Sequence, residues 1–276
     1  MTMARSGKAG ILLTAFASLL LGAVVVDIVR RAIPAHLPAA SPESASPIDL
    51  EAPSPSTPPA ATPSQDGDLA FSGTTAPARP TTAADSTRHA EVRGRIRLES
   101  GGTYLVEMLA GGDSMLRRWP EERTRTPLRV SVIRQAVDGF REDFVANVAW
   151  AVGRWNGAQL PVQMESESDT ARADIVVTWV RQMDSNRTGR ADVTWDMQGR
   201  IRRVAVTLAT HSPDGSLIVG SQMVALALHE LGHALGLNHS PVRADALFPE
   251  TAAIELTERD RRTARLLYAL PMGSYR

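Results

Sequence analysis

The sequence contains no cysteine in its 276 residues. Disulfides, thiolate metal ligands and a thiol nucleophile are therefore excluded. A chain this long can build a core without disulfides, so the missing cysteine does not fix the compartment. Net charge is also missing, since 30 Lys and Arg balance 30 Asp and Glu. No basic stripe interleaved with aromatics occurs, which removes the usual electrostatic footprint of a nucleic-acid binder. Long apolar runs are lacking except for Gly10 to Val26, preceded by Arg5 and Lys8 and followed by Arg30 and Arg31. Secretory apolar cores run about 7–15 residues and spanning helices about 17–25. Residues 1–31 thus read as a signal-anchor or transmembrane segment, with a cleaved signal peptide as the alternative. The first reading tethers the chain to a membrane with the remainder extracytoplasmic; the second secretes it.

Aromatics are scarcest after this run. Eleven of the 18 prolines fall between Pro34 and Pro80, among Ala, Ser and Thr, with Phe71 the one aromatic there. Such a stretch buries too little apolar surface to offset chain entropy, so residues 32–90 read as a disordered linker. As flexible coil it spans roughly 45 Å. From Glu91 order is expected to resume. Val92–Leu98 alternates apolar and polar residues, and Thr103–Leu109 follows a Gly-Gly pair. Residues 91–116 therefore read as a β-hairpin, either a lead-in to the next domain or a remnant propeptide.

Residues 117–276 carry the patterns of a folded domain. Leu128 to Ile133 reads as a strand. Phe140, Phe144, Val148 and Val152 recur at helical spacing up to Trp155, and Gly157 is a fitting stop. Ile175 to Val180 is a β-rich run suited to a sheet interior. Ala191–Trp195 and Ile201–Leu208 flank Met197-Gln198-Gly199-Arg200 as a hairpin. The five tryptophans read as core residues.

Residues 229 to 240 spell His-Glu-Leu-Gly-His-Ala-Leu-Gly-Leu-Asn-His-Ser. On a helix, i and i+4 share a face, so His229 and His233 can grip one ion together. Glu230 projects one residue further round, able to reach a ligand of that metal without being a ligand itself. Gly236 allows a left-handed turn that brings His239 back toward the same ion. Three neutral imidazoles with an open fourth position describe a catalytic Zn2+ site rather than a closed structural one. The bland alternative is a buried helix whose histidines satisfy one another. Against it stands the apolar run Met223–Leu228, in which three histidines and a carboxylate are costly unless something binds them.

These residues resemble the metzincin zinc peptidases, and Ser240 after the third histidine resembles the matrixin branch, that of the matrix metalloproteinases. Downstream, Leu256-Thr257-Glu258-Arg259-Asp260 and Leu266-Leu267-Tyr268 resemble the closing matrixin helix. Upstream, Ala173–Val177 and Pro127–Val130 resemble two of its strands. The resemblance implies an α+β fold, a twisted mixed sheet with an active-site helix and a C-terminal helix. It implies a zinc metalloendopeptidase acting on protein or peptide substrates, with His229, His233 and His239 as metal ligands and Glu230 as general base. An edge strand of the 191–208 hairpin would pair with extended substrate, and residues near Leu247 to Pro249 would line a specificity pocket. Three departures accompany it. Leu247 stands where the family's Met-turn carries methionine. His211 and Asp184-Ser185-Asn186 offer too few ligands for a second zinc and leave Ca2+ undecided. The family's cysteine switch is impossible without cysteine. A catalytically silent, zinc-stabilised peptide-binding module and a metal-assisted amidase remain as alternatives. Substrate specificity and oligomeric state are not legible.

Overall fold

Why does a chain with this much proline and so few aromatics build a core at all? In a computed structural model, the answer lies in the second half of the sequence. The structure describes residues 69–73, 82–111, 114–184 and 186–275. The expected signal-anchor at 1–31 and most of the expected linker lie outside them. Among the described residues, no helix is long and apolar enough to cross a membrane.

The core is a six-stranded sheet. In chain order its strands are β1 (Leu69–Gly73), β3 (Leu128–Val132), β4 (Met164–Ser166), β5 (Ile175–Val180), β6 (Gly189–Trp195) and β7 (Ile201–Ala209). Their spatial order is β1-β6-β7-β5-β3-β4. Only β6 and β7 pair antiparallel, as the expected hairpin, turning at Gly199 with φ +79°. The other neighbours are parallel, so the sheet is mixed. β5 lies inside the sheet between β7 and β3, as its β-rich run suggests, with Ile175, Val177 and Trp179 buried and the intervening residues half-buried.

Two helices cover the buried face. α3 (Glu142–Asn156) buries Phe144, Val148, Ala151 and Trp155; of the expected stripe, Phe140 precedes the helix and Val152 is half-buried. α4 (Ser221–Ala234) is buried on nearly every side. The Trp155 indole donates to the Leu228 carbonyl at 2.9 Å, and the Trp119 indole donates to Ala234 at 2.9 Å. Both tryptophans thus fill the core and hold α4 by its backbone. α5 (Glu258–Ala269) closes the domain, started by a capping box between Thr257 and Asp260. The α+β architecture expected from the sequence is present.

Two expectations fail. Residues 91–116 form no hairpin. α1 (Ala83–Leu98) begins at a Thr82–Asp85 capping box, and α2 (Leu105–Gly111) follows; only β2 (Met115–Leu116) is strand, paired with β8 (Gly273–Ser274). The alternation is misleading because Val92 and Ile96 are also i and i+4, and the helix buries that pair while leaving Leu98 88% exposed. The linker expected up to residue 90 is also interrupted. Leu69–Gly73 adds a parallel strand to β6, and residues 83–90 belong to α1. The helical lead-in docks on α5, where the Tyr104 hydroxyl donates to Asp260 Oδ1 at 3.3 Å and the Tyr104 N–H donates to Thr263 Oγ1 at 3.1 Å.

Candidate active site

α4 carries His229 and His233 one turn apart, and then must stop. It ends in a Schellman motif, with the Gly236 N–H donating to His233 at 2.9 Å and the Leu237 N–H donating to Gly232 at 3.1 Å. Gly236 has φ +100°, a conformation that L side chains resist, and a Cβ there would collide with the Arg117 carbonyl oxygen. Glycine is therefore required twice over at that position. The reversal brings His239 back, and the ligand nitrogens of His229, His233 and His239 lie within 4.8 Å of one another. Among the described residues this is the one such group of three.

The hydrogen bonds of the first two imidazoles fix their tautomers. His229 Nδ1 faces the Ala246 carbonyl at 2.8 Å, and His233 Nδ1 faces the Leu237 carbonyl at 2.8 Å. A carbonyl oxygen only accepts, so both Nδ1 atoms carry the proton. Burial, followed by the neighbouring imidazoles, lowers both pKa values, to about 3 for His229 and well below the ordinary value for His233. Neutral rings protonated on Nδ1 leave both Nε2 lone pairs bare, and these atoms face each other at 2.9 Å. Two converging lone pairs repel unless a cation lies between them. This donor set fits a divalent metal of the zinc type.

The floor beneath the histidines is built from the following loop. Ala246, whose carbonyl orients His229, donates its own N–H to Asp260 Oδ2 at 3.0 Å, and the same oxygen accepts the Thr257 N–H at 2.9 Å. Asp245, also buried, accepts from the Ser240 and Thr257 hydroxyls. The loop is thereby tied to both the third histidine's neighbour and the start of α5. Leu247 is 0% exposed and sits under the helix at Gly232, where a Cβ would fall 2.7 Å from Leu247 Cδ2 and 2.9 Å from Trp155 Cζ2. Leucine fills the position where the sequence expected methionine. His211 does not join the cluster; its Nδ1 pairs with Thr210 Oγ1 at 2.9 Å.

Glu230 is 1% exposed and lies beside β6. The approach is so close that a Cβ on Gly189 would collide with Glu230 Oε1 and lie 2.7 Å from Leu226 Cδ1. Between the start of β6 and the loop after Leu247 opens a cavity of about 300 Å³, lined by Gly189, His229, Glu230, Pro249 and Thr251 among others. Of the expected pocket residues Pro249 lines it, whereas Leu247 is packed in the floor. Reasoning from sequence missed Gly189, Asp245 and Trp155 as site-shaping residues. No periodicity marks a glycine whose partner is a carboxylate on another element. Ser240 followed by Asp245, with the Thr257–Asp260 cap signal, was the available hint for the floor.

This arrangement can be set beside known proteins. The model of a peptidase family described as Matrixin matches residues 118–269, more than half of the chain. No curated protein matches it.

Proposed function

Because the chain belongs to the matrixin family of zinc peptidases, we propose that it is a zinc-dependent endopeptidase, with His229, His233 and His239 holding one catalytic ion and Glu230 as general base. One observation carries this reading: the two bare Nε2 atoms converge beside a cleft that His229 and Glu230 both line. A zinc ion held by the three imidazoles supplies a Lewis acid and makes water a nucleophile near neutral pH. Glu230 accepts the proton of the attacking water and delivers it to the departing amine, so no free amide anion leaves. Its buried position beside β6 keeps it within reach of that water and shields the transfer from bulk solvent. The Ala246 and Leu237 carbonyls hold the first two imidazoles in the tautomer that ligation needs. The outer edge of β6, along which β1 pairs, would offer main-chain donors and acceptors to an extended substrate.

The place of action in this proposal is outside the cytoplasm, resting on the apolar run Gly10 to Val26 and its basic flanks. A silent peptide-binding module drew its support from Leu247, yet that side chain is fully buried and packs against Gly232 of the zinc helix as a core residue. The test uses the whole purified chain. Elemental analysis should find one zinc per chain, and a denatured protein substrate should be cut in a manner lost on chelation and restored by added zinc. Zinc-loaded protein that binds such substrates but leaves them intact would overturn the peptidase reading in favour of the binder.

A further inference from the structure

The edge of β6 is already taken by the chain itself. β1 lies outermost in the sheet and pairs with β6, Leu69 opposite Ala191, Phe71 opposite Val193 and Gly73 opposite Trp195. Without β1, the strand beside Glu230 would present a row of unpaired N–H and C=O groups. We infer that Leu69–Gly73 is an internal occupant of the substrate-pairing edge, and that it restrains activity until displaced. The inference rests on the peptidase reading above.

Three observations support it. First, the segment is suited to pairing where its surroundings are not. Prolines cannot donate to a ladder, and the stretch 64–76 is free of them, between Pro63 and Pro77. Second, the register places β1 against the site without feeding itself to it. Gly189 is the residue of β6 that abuts Glu230, and pairing starts two residues beyond, at Ala191. None of the five paired residues therefore sits opposite Gly189. An extended substrate that pairs with β6 to reach Glu230 needs the positions Ala191–Trp195 that β1 now holds. Third, the bond is of a displaceable kind. A five-residue parallel pairing at a sheet edge is weaker than an antiparallel one of equal length. The chain has no thiolate of its own to silence the metal, and cover over the pairing edge is a restraint that needs none.

The missing cysteines also supply a clean test. Ser72 and Thr194 are register partners, and neighbouring strands lie about 4.8 Å apart, within disulfide reach. In the full chain carrying Ser72→Cys and Thr194→Cys, these would be the only thiols. Mild oxidation should cross-link them without denaturant. The cross-linked protein should then cut a denatured protein about tenfold more slowly, or worse, than the same protein after a phosphine reductant, the loss expected when several main-chain hydrogen bonds cannot form. With Glu230→Gln added, binding of a fluorescent extended peptide should weaken in parallel. A companion with Ala70→Pro and Ser72→Pro, which cannot complete the ladder, should cut faster than the parent. Equal cleavage and binding by the locked and reduced forms would overturn the inference while leaving the peptidase intact. Failure to cross-link under native conditions would overturn it too. If the reduced protein neither cuts nor binds, the peptidase reading fails and the inference falls with it.

Discussion

In its proposed role as general base, Glu230 needs neighbours that leave it room, and the glycine beside it provides that room by lacking a side chain. Gly189 lets β6 pass against Glu230 because it has no Cβ. Gly189→Ala should push the carboxylate aside and lower kcat by about 100-fold, the cost typical of misplacing a reacting group by about 1 Å. Zinc content should not change, since the atoms a new Cβ would meet first belong to Glu230 and Leu226 rather than to the histidines; loss of metal along with activity would contradict this. Leu247 presents the opposite case, a side chain that fills space beneath Gly232 and Trp155. Leu247→Met should cost less than about 1.5 kcal/mol because volume is kept, and Leu247→Ala about 2–5 kcal/mol because a cavity remains. Chemical denaturation of the two variants checks both values. At this scale the sequence was most informative about the metal cluster, since the three histidines, Glu230 and Gly236 lie within one helix and its exit, where spacing alone dictates geometry. It was silent about Gly189 and Asp245, whose partners come from other elements.

Among elements, the lead-in helices alter where the folded domain begins. Patterning placed the boundary near residue 117, but Tyr104 is buried against Asp260, which in turn holds the Ala246 loop under His229. A chain starting at residue 91 would lose the Thr82–Asp85 capping box and the first two turns of α1, while one starting at 82 keeps them. Loss of such a cap costs about 1 kcal/mol on its own, so the shorter chain should melt several degrees lower. Equal melting temperatures would show that the cap and first two turns of α1 contribute nothing. The hairpin of β6 and β7 carries its own signature in acid. Burial raises the Asp196 carboxyl, but hydrogen bonds from Arg200, Arg202 and the Gln198 N–H outweigh it and hold the pKa at about 2. A depressed carboxylate contributes its stability above the ordinary pKa of 3.8 and loses it as pH falls toward about 2. Asp196→Asn should therefore flatten the fall in stability between those two values and leave neutral-pH behaviour less stable. Strands β3, β5, β6 and β7 were legible as β-rich runs and α3 by its helical spacing. α1 was not, since Val92 and Ile96 satisfy a period of two and a spacing of four alike, and the deciding cap lies upstream at Thr82.

At the scale of the molecule, the sheet and α3 serve to hold one helix still. α4 is fixed by indoles at Leu228 and Ala234, by the Schellman exit at Gly236, and by a loop fastened to α5 through Asp245 and Asp260. Those contacts come from residues spread over most of the described chain, which explains why the α+β class could be read from element order while the site's supports could not. Parallel pairing between β1 and β6 was the least legible feature, because a short strand inside a proline-rich stretch carries no periodic signal of its own. What the whole assembly is claimed to do is set a proton acceptor beside a metal-activated water. The most direct measurement compares zinc-loaded wild-type chain with Glu230→Ala on the same denatured protein substrate, with zinc quantified in both. Equal zinc in the two proteins and cleavage reduced to background in the variant are the expected result. Cleavage that persists in a fully zinc-loaded Glu230→Ala protein would contradict it.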